Sequence, residues 1–243
     1  LSFSLKCTAR KVTRAPSAEM SLNASQSQDG ARSTVPCARN KMNKKIVLGL
    51  TGGITTGKSA ALAEFRRLGA VTLDCDRIAR DVVKPGQPAL TKIRAEFGNA
   101  VFTRSGTLNR KVMAEQIFFN PIKRRILERI VHPEVIRVLL RRVKSVERGI
   151  VVADIPLLFE ARLKGLVDEV VVVYAPKNLQ LKRLTQRNHL SAREAVSRIK
   201  SQWPIDRKRK LADHVLDNTR SPAELKRQIR NLWLKFQKSA KGY

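Results

Sequence analysis

Gly52-Gly53-Ile54-Thr55-Thr56-Gly57-Lys58-Ser59 fits the pattern G-x-x-x-x-G-K-[ST], and its neighbours restrict what the chain can fold into. Lys45–Leu50 reads as a short apolar strand just before it, and the segment from Ala60 to Phe65 has helical periodicity just after it. A strand, a glycine loop and a helix in that order form a phosphate cradle. The glycines let successive backbone N–H groups curl around an anion, and the helix adds its own unpaired donors. Lys58 can carry its ammonium to the β and γ phosphates of a nucleoside triphosphate, and Ser59 offers a hydroxyl to the Mg²⁺ that accompanies them. Gly52 to Ala60 is therefore the expected nucleoside-triphosphate-binding loop.

From Lys45 onward, short apolar strands alternate with amphipathic helices, the pattern of an α/β protein whose open parallel sheet is covered on both faces. Five strands are expected, at Lys45–Leu50, Ala70–Leu73, Ile150–Ala153, Val167–Tyr174 and Ala212–Leu216. Val170-Val171-Val172-Val173 is continuously apolar, as a strand buried on both faces should be. A final helix over about 223–236 places Leu225, Ile229, Leu232 and Phe236 on one face. Between the second and third strands lie about 75 residues, too many for a simple crossover. Leu90–Phe97, Arg110–Phe118 and Pro121–Glu147 read as helices of an insert at about 83–148, either a substrate-side subdomain or a bulky connection. Within the last of them, His132-Pro133 is expected to start a new helix, because proline is tolerated in a first turn.

Strand ends in such a sheet face the ligand crevice. Asp74 and Asp76 follow the second strand, where one can activate an acceptor hydroxyl and the other can help hold Mg²⁺ through water. The competing role for Asp76 is to cap the following helix, Arg77–Val83. Asp154 follows the third strand and is either part of the Mg²⁺ shell, together with Ser59, or a turn or cap residue. Arg183 and Arg187 share a helix face, and with Arg193 and Arg198 they form a candidate cationic lid over a triphosphate, at about 178–205. His132 could meet an anionic substrate, whereas His189 and His214 show no suggestive spacing. Cys75 is expected to turn into the core, and Trp203 and Trp233 to serve packing.

The formal charge of +29, from 49 Lys and Arg against 20 Asp and Glu, belongs to the whole chain and attracts polyanions. No zinc-finger spacing or aromatic-studded motif accompanies it, so specific nucleic-acid binding is not expected. No run approaches the roughly 18 apolar residues of a membrane span. Cys7, Cys37 and Cys75 have no metal-ligand or paired spacing, which suits a reducing compartment. Residues 1–41 are basic, Ser-rich and without sustained period. They read as a targeting segment, as disorder, or as sequence upstream of a start at Met42.

The chain resembles the dephospho-coenzyme A kinase family over nearly all of residues 45–236. The resemblance rests on Thr51–Ser59, Asp74-Cys75-Asp76-Arg77-Ile78-Ala79-Arg80, Val83-Lys84-Pro85-Gly86, Gly106–Arg110 and His132-Pro133. It continues, in the family's order, through Asp154–Glu160, Gln186-Arg187, Arg198–Gln202 with Pro204, and Ala212-Asp213 to Asp217-Asn218. It implies a three-layer P-loop kinase fold with a nucleotide core, a helical domain for the coenzyme and a mobile lid. It also implies transfer of the ATP γ-phosphoryl to the ribose 3′-hydroxyl of dephospho-coenzyme A, with Mg²⁺. Carried over by position, Asp76 is similar to the acceptor-activating aspartate with Asp74 as its neighbour, and Lys58 and Ser59 to the phosphate and metal residues. Arg80, Arg110 and His132 are similar to substrate-side positions, Arg183 and Arg187 to lid arginines, and Asn218 to the adenine edge. Four positions depart from the common pattern. Thr55-Thr56 stands for Gly-Ser, Ala60 for a hydroxyl residue, Cys75 for alanine and Asn109 for aspartate. The rival readings are another P-loop nucleoside or nucleotide kinase, and a basic ATPase that binds nucleic acid. A cytoplasmic location is expected, with organellar targeting by residues 1–41 as the alternative. No obligate protein partner is implied, and a monomer is slightly favoured.

Overall fold

The computed structural model describes residues 44–118, 120–188 and 191–241, so the expectations for residues 1–41 and for His189 lie outside the described residues. Five parallel strands form one sheet: β1 (Lys45–Gly52), β2 (Val71–Asp74), β3 (Gly149–Asp154), β4 (Glu169–Tyr174) and β5 (His214–Asp217). Their order is β2-β3-β1-β4-β5. Alternation along each strand sends side chains to opposite faces. Ile46, Leu48 and Leu50 of β1, Ile150 and Val152 of β3 and Val171 and Val173 of β4 therefore belong to one apolar layer. Val47, Val151, Ala153, Val170 and Val172 belong to the other.

Helices α1 (Lys58–Arg67) and α9 (Pro222–Lys241) cover the first layer. Leu225, Ile229, Leu232 and Phe236 of α9 are buried there as their spacing predicts, together with Trp233. The second layer is covered by α2 (Cys75–Asp81), α3 (Pro88–Phe97), α4 (Arg110–Phe118) and α5 (Pro121–Lys144). The apolar residues of the insert, including Ile93, Met113 and Leu139, are continuous with the sheet face. The chain then runs through α6 (Lys177–Asn188), α7 (Ala192–Lys200) and α8 (Ile205–Lys210) before β5. Among the described residues, no helix is long and apolar enough to cross a membrane.

Strand boundaries shift where a polar side chain finds a specific partner. Asp168 lies before β4, because its carboxylate accepts from the Val47 N–H while its own N–H donates to the Val47 carbonyl. Asp213 likewise precedes β5 and accepts from the Val170 N–H. The larger difference concerns α5. His132-Pro133 does not open a helix, since Pro133 lies inside an uninterrupted α5. Its missing N–H forgoes one hydrogen bond, to the Arg129 carbonyl. The buried row Leu127, Val131, Val135 and Leu139 keeps the helix continuous through that loss. Asn120 provides the actual start, accepting from the N–H groups of Ile122 and Lys123.

His132 is consequently buried, at 6% exposure, and burial pushes its imidazole from 6.5 down to about 4. Protons therefore bind the unfolded chain first. The stability contributed by the neutral ring is complete above about pH 6.5 and drains away as pH falls towards 4. At ~1.4 kcal/mol per unit, lowering the pH from 7 to 5 should cost the native chain about 2 kcal/mol more than it costs His132→Gln. Urea unfolding of both across that range measures the difference. Parallel pH profiles would place the imidazole in water instead.

Candidate active site

Gly52 ends the central strand, and the loop beyond it is built by its own backbone and by neighbours from across the fold. Gly57 adopts φ +97, in the left-handed region, and its carbonyl accepts from the Ala60 and Ala61 N–H groups to begin α1. An added Cβ at Gly57 would lie 2.1 Å from Nδ2 of Asn218, which donates to the Thr56 carbonyl at 2.8 Å. Thr55, in place of glycine, also has a positive φ of 56°, a costly conformation for a β-branched residue. Its hydroxyl offsets that cost through the Gln180 carbonyl of α6 at 2.9 Å. Arg183, one turn further along α6, donates to the carbonyls of Asn218 at 2.9 Å and Thr55 at 3.5 Å.

A cavity of about 690 Å³ opens over this loop. It is lined by every residue from Gly52 to Ala60, and by Asp76, Pro156, Arg183, Gln186, Arg187 and Gln202. Four expected site residues from distant parts of the chain, Lys58, Asp76, Arg183 and Arg187, thus share one concavity. Pro156, Gln186 and Gln202 carry no charge signal, and what points to them in the sequence is their membership of the family-like segments Asp154–Glu160, Gln186-Arg187 and Arg198–Gln202.

The three carboxylates at the strand ends have different surroundings. Asp74, paired in register with Asp154, is the cap of α2 and accepts from the Arg77 N–H at 3.0 Å. The cap expected at Asp76 is therefore made by Asp74, two residues earlier, because the strand turns directly into the helix at Cys75. Asp76 lies in the first turn of α2 and makes no hydrogen bond to a described residue. Burial holds its carboxyl above the ordinary aspartate value, opposed by the nearby positive charge of Lys58. Asp154 is buried and forms an ion pair with Lys58, and burial raises its carboxyl too. Cys75 turns into the core, where burial pushes its thiol far up.

Arg80 and Arg110 come together outside the loop. Nη2 of Arg110 lies 3.4 Å from the Arg80 carbonyl, and burial and the Arg80 charge both press its guanidinium downward. Two cations close enough to press on one another form an anion-attracting pair. Asn218 stands behind the loop, and Asp74, Asp154, Arg80, Arg110 and His132 are also absent from the cavity lining. Arg193 and Arg198 lie on α7, away from that lining.

The Asn218 brace has a measurable consequence. Gly57→Ala should cost about 2 kcal/mol, from the left-handed backbone and the lost Asn218 hydrogen bond together. It should also weaken ATP binding at least tenfold. Denaturant unfolding and ATP titration test both, and an unchanged affinity would mean that the loop accepts a Cβ there.

Known proteins give the same picture. The family model described as Dephospho-CoA kinase matches residues 46–224. A dephospho-CoA kinase of Carboxydothermus hydrogenoformans is 43% identical over 194 residues, covering 79% of this chain and 94% of the relative. One from Enterococcus faecalis is 42% identical over 193 residues, covering 79% and 96%. Among solved structures, TT1252 from Thermus thermophilus superimposes with a TM-score of 0.69 at 33% identity, covering 79% of this chain and 98% of that one. The dephospho-CoA kinase from Campylobacter jejuni gives 0.62 at 29%, covering 80% and 98%. With residues 46–224 matched and relatives covered almost end to end, this chain belongs to the dephospho-CoA kinase family.

Proposed function

We infer that this chain transfers the γ-phosphoryl of ATP to the ribose 3′-hydroxyl of dephospho-coenzyme A, the last step of coenzyme A synthesis. Besides family membership, one observation carries the reading. The phosphate loop, a carboxylate with no hydrogen bond to a described residue, and two arginines line a single cavity.

The triphosphate lies along Gly52–Ser59 with its oxygens on the loop N–H groups, and Lys58 exchanges Asp154 for the β and γ phosphates. Asp76 accepts the proton of the 3′-hydroxyl as that oxygen attacks phosphorus, and the electron pair of the breaking bond leaves on the β-phosphate oxygen of ADP. Asp76 suits this role better than its neighbours. Asp74 is engaged as a cap, and Asp154, which is absent from the cavity lining, is assigned to the Mg²⁺ shell, whereas Asp76 lines the cavity. Arg183 and Arg187 offset the charge of the transferring group, with α6 and α7 as the lid. Arg80 and Arg110 meet anionic groups of the coenzyme. His132, neutral and buried inside α5, serves the substrate side through packing rather than through charge.

Among the described residues, no group of three or more His, Cys, Asp or Glu could hold a metal ion. That fits an Mg²⁺ carried by nucleotide phosphates, which needs only one or two protein ligands, here Ser59 and Asp154. When bound, the ion neutralises charge on the β and γ oxygens. Cys75, free and buried, suits a reducing compartment, and the cytoplasm is the location this reading favours.

Asp76→Asn should lower kcat by about 10²–10⁴ while leaving ATP affinity within threefold, measured as coenzyme A formed from Mg-ATP and dephospho-coenzyme A. Formation of phosphorylated nucleosides or nucleotides in place of coenzyme A would reassign the enzyme within the fold. Because Asp76 must be ionised to accept the proton, activity should fall as pH drops through a value above that of an ordinary aspartate. Asp74→Ala should instead cost about 1 kcal/mol of stability and keep most of the rate.

A further inference from the structure

Lys208 is the largest charged residue in the interior, with a side chain fully removed from solvent. Its ammonium donates to the Gly52 carbonyl at 3.2 Å and the Pro156 carbonyl at 3.1 Å, and it pairs with Oε1 of Glu160 at 2.8 Å. All three ammonium hydrogens are thus matched to acceptors. Glu160 is equally buried, and the same Oε1 accepts from the Trp203 N–H at 2.9 Å. Arg207 stacks 3.6 Å from the centre of the Trp203 ring, and Thr51 adds its hydroxyl to the Pro156 carbonyl at 3.1 Å.

Three separate walls of the cavity meet at this pair. Gly52 begins the phosphate loop, Pro156 follows β3, and Gln202 precedes Trp203 at the end of the lid segment. Such a pair is a poor choice for stability alone. Desolvating two charges costs several kcal/mol, and a well-packed apolar pair is often as stable or more so. Here Oε2 of Glu160 has no partner among the described residues, so the desolvation is only partly offset. What an apolar pair could not do is direct hydrogen bonds at two backbone carbonyls and one N–H in three different segments.

We propose that Lys208 and Glu160 are positioning residues for phosphoryl transfer, locking the start of the phosphate loop, the Pro156 loop and the Gln202–Pro204 end of the lid into one rigid frame. The inference rests on the activity proposed above. Lys208→Met should lower kcat about 10–100-fold, the scale of an ångström misplacement, while the KM for dephospho-coenzyme A stays within about threefold. Lys208→Met leaves Glu160 buried and uncompensated, so its Tm should fall as well. The Glu160→Gln/Lys208→Met double variant carries no buried charge at this pair, and should regain Tm without regaining kcat. Recovery of kcat together with Tm would make the pair purely structural and overturn the proposal. Amide exchange on the unaltered chain gives a test independent of any variant's folding. The Trp203 N–H should be strongly protected, and exchange there at an open-chain rate would overturn the proposal too. Unaltered chain that makes no coenzyme A in the same assay would overturn the activity reading instead.

Discussion

Hydrogen bonding of β1 to β3 on one side and to β4 on the other is the constraint from which the site follows. A central parallel strand delivers its carboxyl end between two others, so whatever follows Gly52 is surrounded by their loops. Asp154 arrives from β3, Asp74 from β2 beyond it, and α6 from β4. The phosphate loop supplies its own donors, but its shape is held from outside. Thr55 and Arg183 tie it to α6, Asn218 ties it to the segment after β5, and Lys208 ties it to α8.

This arrangement explains how the loop tolerates Thr55 where glycine is common. A β-branched residue at positive φ stores strain, and surrounding contacts must over-determine it. The Gln180 carbonyl accepts the same hydroxyl that the substitution introduced, so strain and compensation come from one side chain. Likewise, the three clustered carboxylates avoid redundancy by environment. A cap, an ion pair and an open cavity wall assign Asp74, Asp154 and Asp76 to different physical tasks, although Asp74 and Asp154 end adjoining strands and Asp76 follows only two residues later.

Much of the fold was legible because periodicity reports burial directly. Val170–Val173 and the Leu225, Ile229, Leu232, Phe236 row went where their patterns sent them. The beginnings of β4 and β5 were misplaced by two residues because Asp168 and Asp213 bond to distant backbone groups that a local window does not contain. The helix start at His132-Pro133 was wrong for a related reason. Local proline chemistry favours a first turn, but the apolar row on both sides of Pro133 outweighs one missing hydrogen bond. In the site, Lys58, Asp76 and the arginines were readable from charge and motif. Gln186 and Gln202 are neutral and were legible only as members of the family-like segments, and Lys208 was not legible, being one cation among 49 Lys and Arg.

The sequence by itself determined the parallel α/β architecture, the phosphate loop and the family, because these depend on residue type at short spacing. Tertiary structure alone decided which aspartate is left facing the cavity and which cations are interior. Those outcomes depend on desolvation and on partners drawn from far along the chain. Lys208 and Gly52 are joined across 156 positions, a contact that no spacing rule encodes and only the folded sheet brings together.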